Sequence, residues 1–252
     1  MKNITLISAS YNTPLITKTM LASFVSVHSE GPHQLLLYDN STNDETAKLL
    51  REAGVPFITQ GATTHGYTIN IALAACTTDY ALVVDTDVIF LQPCLHLIEI
   101  FNRNPRIVAI GTVSDGRNSG KNLYPRINPW VMFLNVKLMK QYKIKFYDKR
   151  KTENGIIYDV GSSFLHDVSE QKLQVMVVNG IEKFAKHYEG LSWYTNRYTV
   201  SGAIGDLDVD ATAMHSDTIL YQRGIKRNEE YKTEIEKYKD VVLTGKFVSP
   251  TV

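Results

Sequence analysis

The sequence predicts an α/β fold in which a mostly parallel central sheet is flanked by helices. Short apolar segments alternate with helix-like segments through the first 110 residues, which is typical of repeated strand–helix units. Polar clusters follow several of the apolar segments, where parallel strands would end. The length of 252 residues suits a single domain with one modest subregion. We divide it into residues 1–113, 114–225 and 226–252.

Each element of the first part has its own signal. Apolar runs predict the strands, and Thr13 with Pro14 predicts a helix start because a cap residue precedes a proline in the first turn. The predicted strands cover residues 4–9, 34–38, 56–59, 80–84 and 107–110. The later predicted helices cover residues 44–51, 67–76 and 95–102.

The second part changes in texture. Residues 114–128 are rich in Gly, Asn, Lys and Arg, and this composition predicts a long loop of the kind that often carries function. Charges that alternate in sign over residues 228–239 predict a helix with a solvated face. Between them the pattern predicts a strand at 130–135, a short helix ending at 142, a helix at 159–169 and a strand at 173–178.

The bulk composition limits the partners. A net charge of +1 is too small for nucleic acid to be a partner through bulk electrostatics. Cys76 and Cys94 lack the spacing of metal ligands and are expected to be buried. No apolar stretch approaches the ~20 residues of a spanning helix, and the first residues do not resemble a signal peptide. We therefore expect a cytoplasmic enzyme.

Two acidic residues follow the fourth predicted strand. Asp85 and Asp87 stand one residue apart after an apolar run, so both would emerge at the carboxyl edge of the sheet. Neighbouring carboxylates repel each other unless a cation lies between them. A hard divalent cation with a diphosphate as a further ligand resolves the repulsion. The pair therefore predicts a metal-assisted site for a phosphate-bearing ligand.

Polar clusters at four predicted strand ends should converge at the same edge. They are Ser10-Tyr11-Asn12, Asp39-Asn40, His65-Gly66 and Asp85-Thr86-Asp87. Taken alone, Asp39-Asn40 is also typical of a capped turn, and Tyr11 of a half-buried aromatic residue. Their convergence is what favours a ligand site.

This arrangement resembles the nucleotide-sugar-binding half of the GT-A-fold glycosyltransferases, particularly family 2. The matching segments are Ala9-Ser10-Tyr11-Asn12, Asp39-Asn40-Ser41-Thr42-Asn43-Asp44 without the family's glycine, and the Asp-x-Asp motif at 85–87. The resemblance implies that Tyr11 packs on the nucleotide base and that Asp39 accepts a hydrogen bond from it. It also implies that Asp85 lies near the ribose and that Asp87 holds the metal.

The remaining donor contacts are expected by the same resemblance. They are Ala9, Asn40, Gly66, Asn70 and Thr86. The segment 65–70 resembles the family's Gly-x-x-x-Asn stretch. Ile69 stands where the family often has an arginine. An isoleucine cannot make the polar contact to the diphosphate or the base that the arginine would make.

The resemblance also reaches the second part. Tyr158-Asp159-Val160-Gly161 resembles a Tyr-Asp-x-Gly motif of related bacterial and phage transferases, which makes Asp159 the candidate base of an inverting transfer. The alternative is an acid that stabilises a helix N-terminus. Asp115 and Asp167 are the fallback bases.

Late residues complete the expected site. The segment 187–193 resembles a His-x-x-Gly-x-Ser-Trp segment, in which His187 completes the shell of a Mn2+ or Mg2+ ion. A structural histidine is the alternative, and His215 is the competing ligand. Trp130 and Trp193 are expected to bind the acceptor.

The resulting hypothesis is a metal-dependent, inverting glycosyltransferase that uses a UDP-linked sugar. Residues 1–113 would bind the nucleotide sugar, 114–225 would carry the acceptor and catalysis, and 226–252 would form a C-terminal helix and tail. The acceptor is expected to be a glycan, with a modified DNA base as the alternative.

Two other functions stay open at this point. One is a phosphatase of the haloacid dehalogenase type, with Asp85 and Asp87 as nucleophile and acid. It is disfavoured by Ile89, by the three strand units before the motif and by that family's usual N-terminal placement. The other is a non-catalytic nucleotide-sugar-binding module, which would need no base.

Overall fold

The computed structural model describes residues 4–114, 124–147, 150–151, 155–191 and 219–250. The strands are β1 (Ile4–Ser10), β2 (His33–Asp39), β3 (Ile58–Thr59), β4 (Tyr80–Val84), β5 (Val88–Phe90), β6 (Ile107–Ser114), β7 (Arg126–Asn135), β8 (Arg150–Lys151), β9 (Ile157–Tyr158), β10 (Gln174–Val177), β11 (Ala185–His187) and β12 (Phe247–Val248). The α-helices are α1 (Pro14–Val27), α2 (Glu45–Glu52), α3 (His65–Ala75), α4 (Val136–Tyr142), α5 (Val160–Glu170) and α6 (Ile219–Tyr238). Two 3₁₀ helices cover Leu95–Asn102 and Ile181–Lys183.

The central sheet has the strand order β10-β6-β7-β4-β1-β2-β12, with β3 also paired to β2. All of its neighbours run parallel except β7, which lies antiparallel between β4 and β6. The fold is therefore the mixed, mostly parallel α/β sheet that the sequence predicts. Two further pairs stand apart from it, β5 with β11 and β8 with β9.

Apolar residues of the central strands alternate between two cores, one on each face of the sheet. Leu6 of β1 and Leu82 of β4 pack into one core, whereas their neighbours Ile7 and Val83 pack into the other. This alternation follows from the two-residue period of a strand. Because both faces are covered, the strands read as nearly continuous apolar runs.

Helix starts follow the expected capping chemistry. Pro14 occupies the first turn of α1. The Thr64 side chain accepts a hydrogen bond from Tyr67 N at the start of α3, and Asn135 accepts one from Leu138 N at the start of α4. Such caps satisfy backbone N–H groups that have no partner inside the helix.

The structure assigns both ends of the loop predicted at 114–128 to strands. β6 continues to Ser114 and β7 begins at Arg126, and these two residues pair across the strands. Polar side chains support this pairing, since Asn128 Nδ2 donates to Thr112 Oγ1 at 3.0 Å. Composition alone predicts a loop here because it does not register such cross-strand contacts. Residues 115–123 lie outside the described ranges.

Three smaller features also differ from the sequence prediction. The strand predicted at 56–59 is reduced to Ile58–Thr59, and the helix at 95–102 is a 3₁₀ helix. The boundary predicted at 226 falls inside α6, which starts at Ile219. Among the helices of the described ranges, none has the length and apolar character that crossing a membrane requires.

Candidate active site

The polar clusters converge at one edge of the sheet. β1 pairs in parallel with both β2 and β4, so the three strands end side by side. Ser10 at the end of β1 stands beside Asp39 at the end of β2. α3, whose first residues are His65 and Gly66, packs against β1 and β2. The convergence expected from the sequence is thus present.

Asp85, Asp87 and His187 form a cluster suited to a cation. Each offers one ligand atom, and these atoms lie within 4.8 Å of one another. His187 Nε2 lies 3.2 Å from Asp87 Oδ1. The two carboxylates are donors that suit both Mn2+ and Mg2+, and the imidazole suits the softer transition-metal ion, Mn2+, better than Mg2+. The residues present therefore fit the predicted metal.

Short strands bring this cluster together. Asp87 directly precedes β5, and His187 ends β11, which pairs antiparallel with β5 so that His187 stands opposite Val88. Tyr188 N donates to the carbonyl oxygen of Asp87 at 2.9 Å. The backbone thus links the two ligands in addition to their side chains.

Burial governs the electrostatics of this cluster. It raises the pKa of Asp85, an effect that His65 opposes and the nearby Asp87 charge reinforces. Burial alone would lower the pKa of His187, but its hydrogen bond to Asp87 and the negative charges of Asp87 and Asp85 raise it. The site concentrates negative charge that a divalent cation would offset.

The Asp39 carboxylate is fixed at the carboxyl end of β2. The residue is only 2% exposed. Its Oδ1 accepts hydrogen bonds from Ser10 Oγ at 3.1 Å, from Ser41 N at 3.1 Å and from Ser41 Oγ at 2.5 Å. These donors hold the carboxylate in one orientation.

Asn12 joins the loops that follow β1 and β2. Its φ of 50° lies in the left-handed region, which asparagine tolerates better than most residues. Asn12 N donates to Ser41 Oγ at 2.8 Å, and its Oδ1 accepts from Thr42 N at 3.0 Å. Tyr11, the residue expected to pack on the base, directly precedes Asn12. These two hydrogen bonds therefore restrain the backbone next to Tyr11.

The other predicted donor contacts have varied surroundings. Asn40 is buried and its Nδ2 donates to Thr68 Oγ1 at 2.9 Å, while Thr86 is buried between the two acids. Gly66 is buried in the first turn of α3, and Ala9 is partly buried near the end of β1. Their contacts with a nucleotide stay predictions.

Asn70 has an observed structural role. Its Nδ2 donates to the carbonyl oxygen of Phe146 at 2.6 Å, and its Oδ1 accepts from Phe146 N at 2.9 Å. Both polar ends of the amide therefore fasten α3 to the segment after α4. Its contact with the donor stays a prediction.

Trp130, on β7, contacts two residues of the cluster formed by Asp85, Asp87 and His187. Its ring is stacked on the imidazole of His187, with centroids 5.1 Å apart and planes 9° from parallel. Its carbonyl oxygen accepts a hydrogen bond from Asp85 N at 3.1 Å. Trp130, expected from the sequence to bind the acceptor, thus also touches two residues of the cluster. Trp193, Asp115 and His215 lie outside the described ranges.

Asp159 lies at the N-terminus of α5. One carboxylate oxygen accepts from Ser162 N at 2.8 Å, and the other lies 2.5 Å from Arg126 Nη1. The charge of Arg126 also opposes the burial that raises the pKa of Asp85. The helix-capping alternative is therefore an observed contact, and catalysis by Asp159 stays a prediction. The fallback Asp167 faces His166, 3.7 Å away.

Sequence reasoning missed two basic residues, Arg126 and His65. Arg126 was assigned to a loop, and His65, whose Nε2 lies 3.5 Å from Asp85 Oδ1, received no role. His65 stands at a predicted strand end, which was a usable signal. No local sequence pattern indicates a role for Arg126. The groups that it affects, Asp159 and Asp85, lie far from it in sequence.

The comparisons with known proteins address the family directly. The profile described as glycosyl transferase family 2 matches residues 5–171, about two thirds of the chain. The chain belongs to this family. No curated protein sequence matches it.

Solved structures show the same fold at low identity. A mannosyltransferase, PcManGT, from Pyrobaculum calidifontis in complex with GDP-Man and Mn2+ matches with a TM-score of 0.53 and 10% identity, over 92% of this chain and 75% of that one. S. aureus TarS matches at 0.51 and 15% identity, over 92% and 44%. Glucosyl-3-phosphoglycerate synthase from Mycobacterium tuberculosis matches at 0.51 and 13% identity, over 80% of each chain.

This family-2 chain is thus a GT-A-fold glycosyltransferase. The family assignment overturns the phosphatase alternative, in which Asp85 would be a nucleophile. It agrees with the placement of an acidic pair at the carboxyl edge of the sheet, because a transferase needs a polar site there for its donor.

Proposed function

We propose that this glycosyltransferase transfers a sugar from a nucleoside diphosphate sugar, with UDP as the nucleotide, to a hydroxyl of a glycan. The observation that carries the proposal is the cluster of Asp85, Asp87 and His187 beside the fixed Asp39 carboxylate. The cluster suits a metal diphosphate, and Asp39 suits the N–H of a uracil or guanine ring. The Mn2+ and nucleotide complexes of PcManGT and of the M. tuberculosis synthase support the same class of donor.

Asp87 and His187 would hold Mn2+ or Mg2+, with Asp85 close by. The bound ion would supply charge neutralisation on the leaving diphosphate. Tyr11 would pack on the base, and Asp39 would accept its hydrogen bond. His65, at the start of α3, would lie on the donor side, with its Nε2 3.5 Å from Asp85 Oδ1.

Asp159 would remove the proton from the acceptor hydroxyl, which attacks the anomeric carbon with inversion. Arg126 orients the Asp159 carboxylate through their ion pair. Trp130 and Trp193 would contact the acceptor glycan. A modified DNA base as acceptor is the alternative, and it is separated by direct assay of the two acceptor classes.

The test of the donor is a thermal-shift panel of UDP, GDP, CDP and ADP, each with and without Mn2+. A ligand at a hundred times its dissociation constant stabilises the folded protein by about 2.7 kcal/mol, which is a clear shift. We expect a metal-dependent shift with UDP. A shift with GDP alone would change the nucleotide but keep the reaction class, whereas no shift with any nucleotide would contradict the proposal.

A further inference from the structure

One face of α6 lies against the strand that carries His187. The residues of this face recur every three or four positions, which is the spacing of one side of a helix. Arg227 Nη1 donates to the carbonyl oxygen of Glu189 at 2.6 Å, and Glu230 lies 3.5 Å from Lys186 Nζ. Glu234 continues the same face one turn later. Several polar contacts therefore join α6 to β11 and to the residues that follow β11.

The contact between Tyr188 and Glu234 is the most buried of these. Tyr188, the residue after His187, is 1% exposed and donates its hydroxyl to Glu234 Oε1 at 2.9 Å. Glu234 Oε2 is buried and has no hydrogen-bond partner among the described residues. Leaving a buried carboxylate oxygen without a hydrogen bond costs free energy. Loss of the Tyr188 hydroxyl would leave both oxygens of Glu234 without a partner among the described residues, so this hydrogen bond contributes to the stability of the fold.

Tyr231 ties the same face to the rest of the fold. Its ring packs edge-on against Tyr188, with centroids 4.9 Å apart and planes at 85°. It is 1% exposed, and its hydroxyl donates to the carbonyl oxygen of Ile16 on α1 at 3.2 Å. Tyr188 is thus enclosed between α6 and the strand pair.

Hydrogen bonds connect Tyr188 directly to the Asp85, Asp87 and His187 cluster. Tyr188 N bonds the carbonyl oxygen of Asp87, and His187 Nε2 bonds the Asp87 side chain. A shift of α6 would therefore move Tyr188 and, with it, the backbone that sets the distance between Asp87 and His187.

We propose that Glu234 and Tyr231 of α6 are positioning residues for His187, so that docking of α6 and binding of the cation strengthen each other. The inference rests on the proposed role of the cluster as a metal site. Coupling of this kind is reciprocal: if docked α6 raises the affinity for the cation, the cation must stabilise docked α6 by the same factor.

The experiment compares Glu234→Ala with Glu229→Ala in the full chain. Both remove a glutamate from α6, but Glu229 is exposed and pairs with Lys232 on the outer face. The Mn2+ affinity of each variant is measured by titration with Mn2+ alone and again with UDP or GDP present. Hydrogen exchange in α6 is measured with and without Mn2+.

We expect Glu234→Ala to bind Mn2+ about tenfold more weakly than wild type, as outer contacts of metal ligands typically do when removed. Glu229→Ala should match wild type. Added Mn2+ should slow hydrogen exchange of the α6 backbone in wild type but not in Glu234→Ala. If Glu234→Ala does not fold, Tyr188→Phe removes the same hydrogen bond and is judged by the same criteria.

The outcomes separate the two claims. Equal Mn2+ affinities for both folded variants, with Glu234→Ala merely less stable, would overturn the inference and leave the metal site standing. A wild-type protein that binds no Mn2+, with or without nucleotide, would overturn the metal site and this inference together.

Discussion

The indole of Trp130 lies flat on the imidazole of His187, with planes 9° from parallel and centroids 5.1 Å apart. The same residue accepts a hydrogen bond from Asp85 N through its backbone. Trp130 therefore supports the cluster at two of its three members. Stacking against a rigid ring limits the orientations of the imidazole, which favours a pre-formed ligand geometry.

We predict that Trp130→Leu weakens Mn2+ binding about tenfold, because the His187 ring loses its stacking surface. Trp130→Phe keeps an aromatic face and should retain most of the affinity. Mn2+ titration without any acceptor is the measurement. If Trp130 serves only the acceptor, both variants will bind Mn2+ like wild type and will differ in the KM for the acceptor instead.

Asp87→Asn should remove metal-dependent turnover while the fold stays intact. The amide is a weaker ligand for the cation, and the loss of metal charge stabilisation corresponds to roughly 10²-fold or more in kcat. Asp79→Asn is the matched control, since Asp79 is exposed immediately before β4, at the opposite end of that strand from the acidic pair. Activity that is still stimulated by Mn2+ in Asp87→Asn would count against the assignment of the ligand.

Much of the donor side could be predicted from the sequence because its signals are local. Apolar runs such as residues 80–84 are strands, and the polar residues after them must meet where parallel strands end. The adjacency of Ser10 and Asp39 follows from that rule alone. The same logic placed the acidic pair at the correct edge.

The contacts around His187 could not be derived in this way. They depend on pairing between β5 and β11, two three-residue strands that lie about a hundred residues apart and have no measurable periodicity. The resemblance to the family suggested the ligand, whereas the stacking of Trp130 depends on the antiparallel insertion of β7. Likewise, the charge pattern of α6 indicated its solvated face but not that Tyr231 and Tyr238 are buried on the other.

Asp159→Asn should separate catalysis from capping. Asparagine keeps an oxygen that can accept from Ser162 N, so the start of α5 should be preserved. If Asp159 is the base, kcat should fall by about 10²- to 10⁴-fold with little change in the free energy of unfolding. Activity near the wild-type level would leave Asp159 as a cap and partner of Arg126.

The same variant also tests the binding-module alternative. A module without catalysis would show no turnover in wild type and the same nucleotide affinity in both proteins. Arg126→Gln is the companion variant, because it removes the ion pair but keeps the carboxylate. It should lower kcat less than Asp159→Asn does if the arginine only orients the base.

Gly161→Ala should destabilise the fold by about 3 kcal/mol. A Cβ at this position would overlap the carbonyl oxygen of Ile127, because α5 approaches β7 at this glycine. Gly61→Ala is the comparison: its φ of 79° disfavours alanine, but among the described residues nothing lies within 4 Å of the added atom. It should cost only about 1 kcal/mol. Chemical denaturation of the two variants measures the difference, and equal losses would refute the close approach.

Protonation of His28 should make the protein less stable in mild acid. Burial lowers the pKa of His28 to about 4, and its Nε2 accepts a hydrogen bond from Cys94 N at 2.9 Å inside the core. Burial also raises the pKa of Cys94 to about 12, so this thiol stays neutral beside it. Between about pH 6.5 and pH 4 the unfolded chain binds a proton at His28 and the folded chain does not. Stability from this residue is therefore complete above the upper value and declines as the pH falls.

The expected loss is up to about 3 kcal/mol over this interval. His28→Gln retains an acceptor for Cys94 N but cannot titrate, so its stability should be lower at neutral pH and change less between pH 7 and pH 4. His166→Gln makes the same substitution at a half-buried histidine on α5 and should keep the wild-type slope. Urea denaturation at half-unit pH steps measures all three proteins. Parallel curves for wild type and His28→Gln would show that another group governs acid sensitivity.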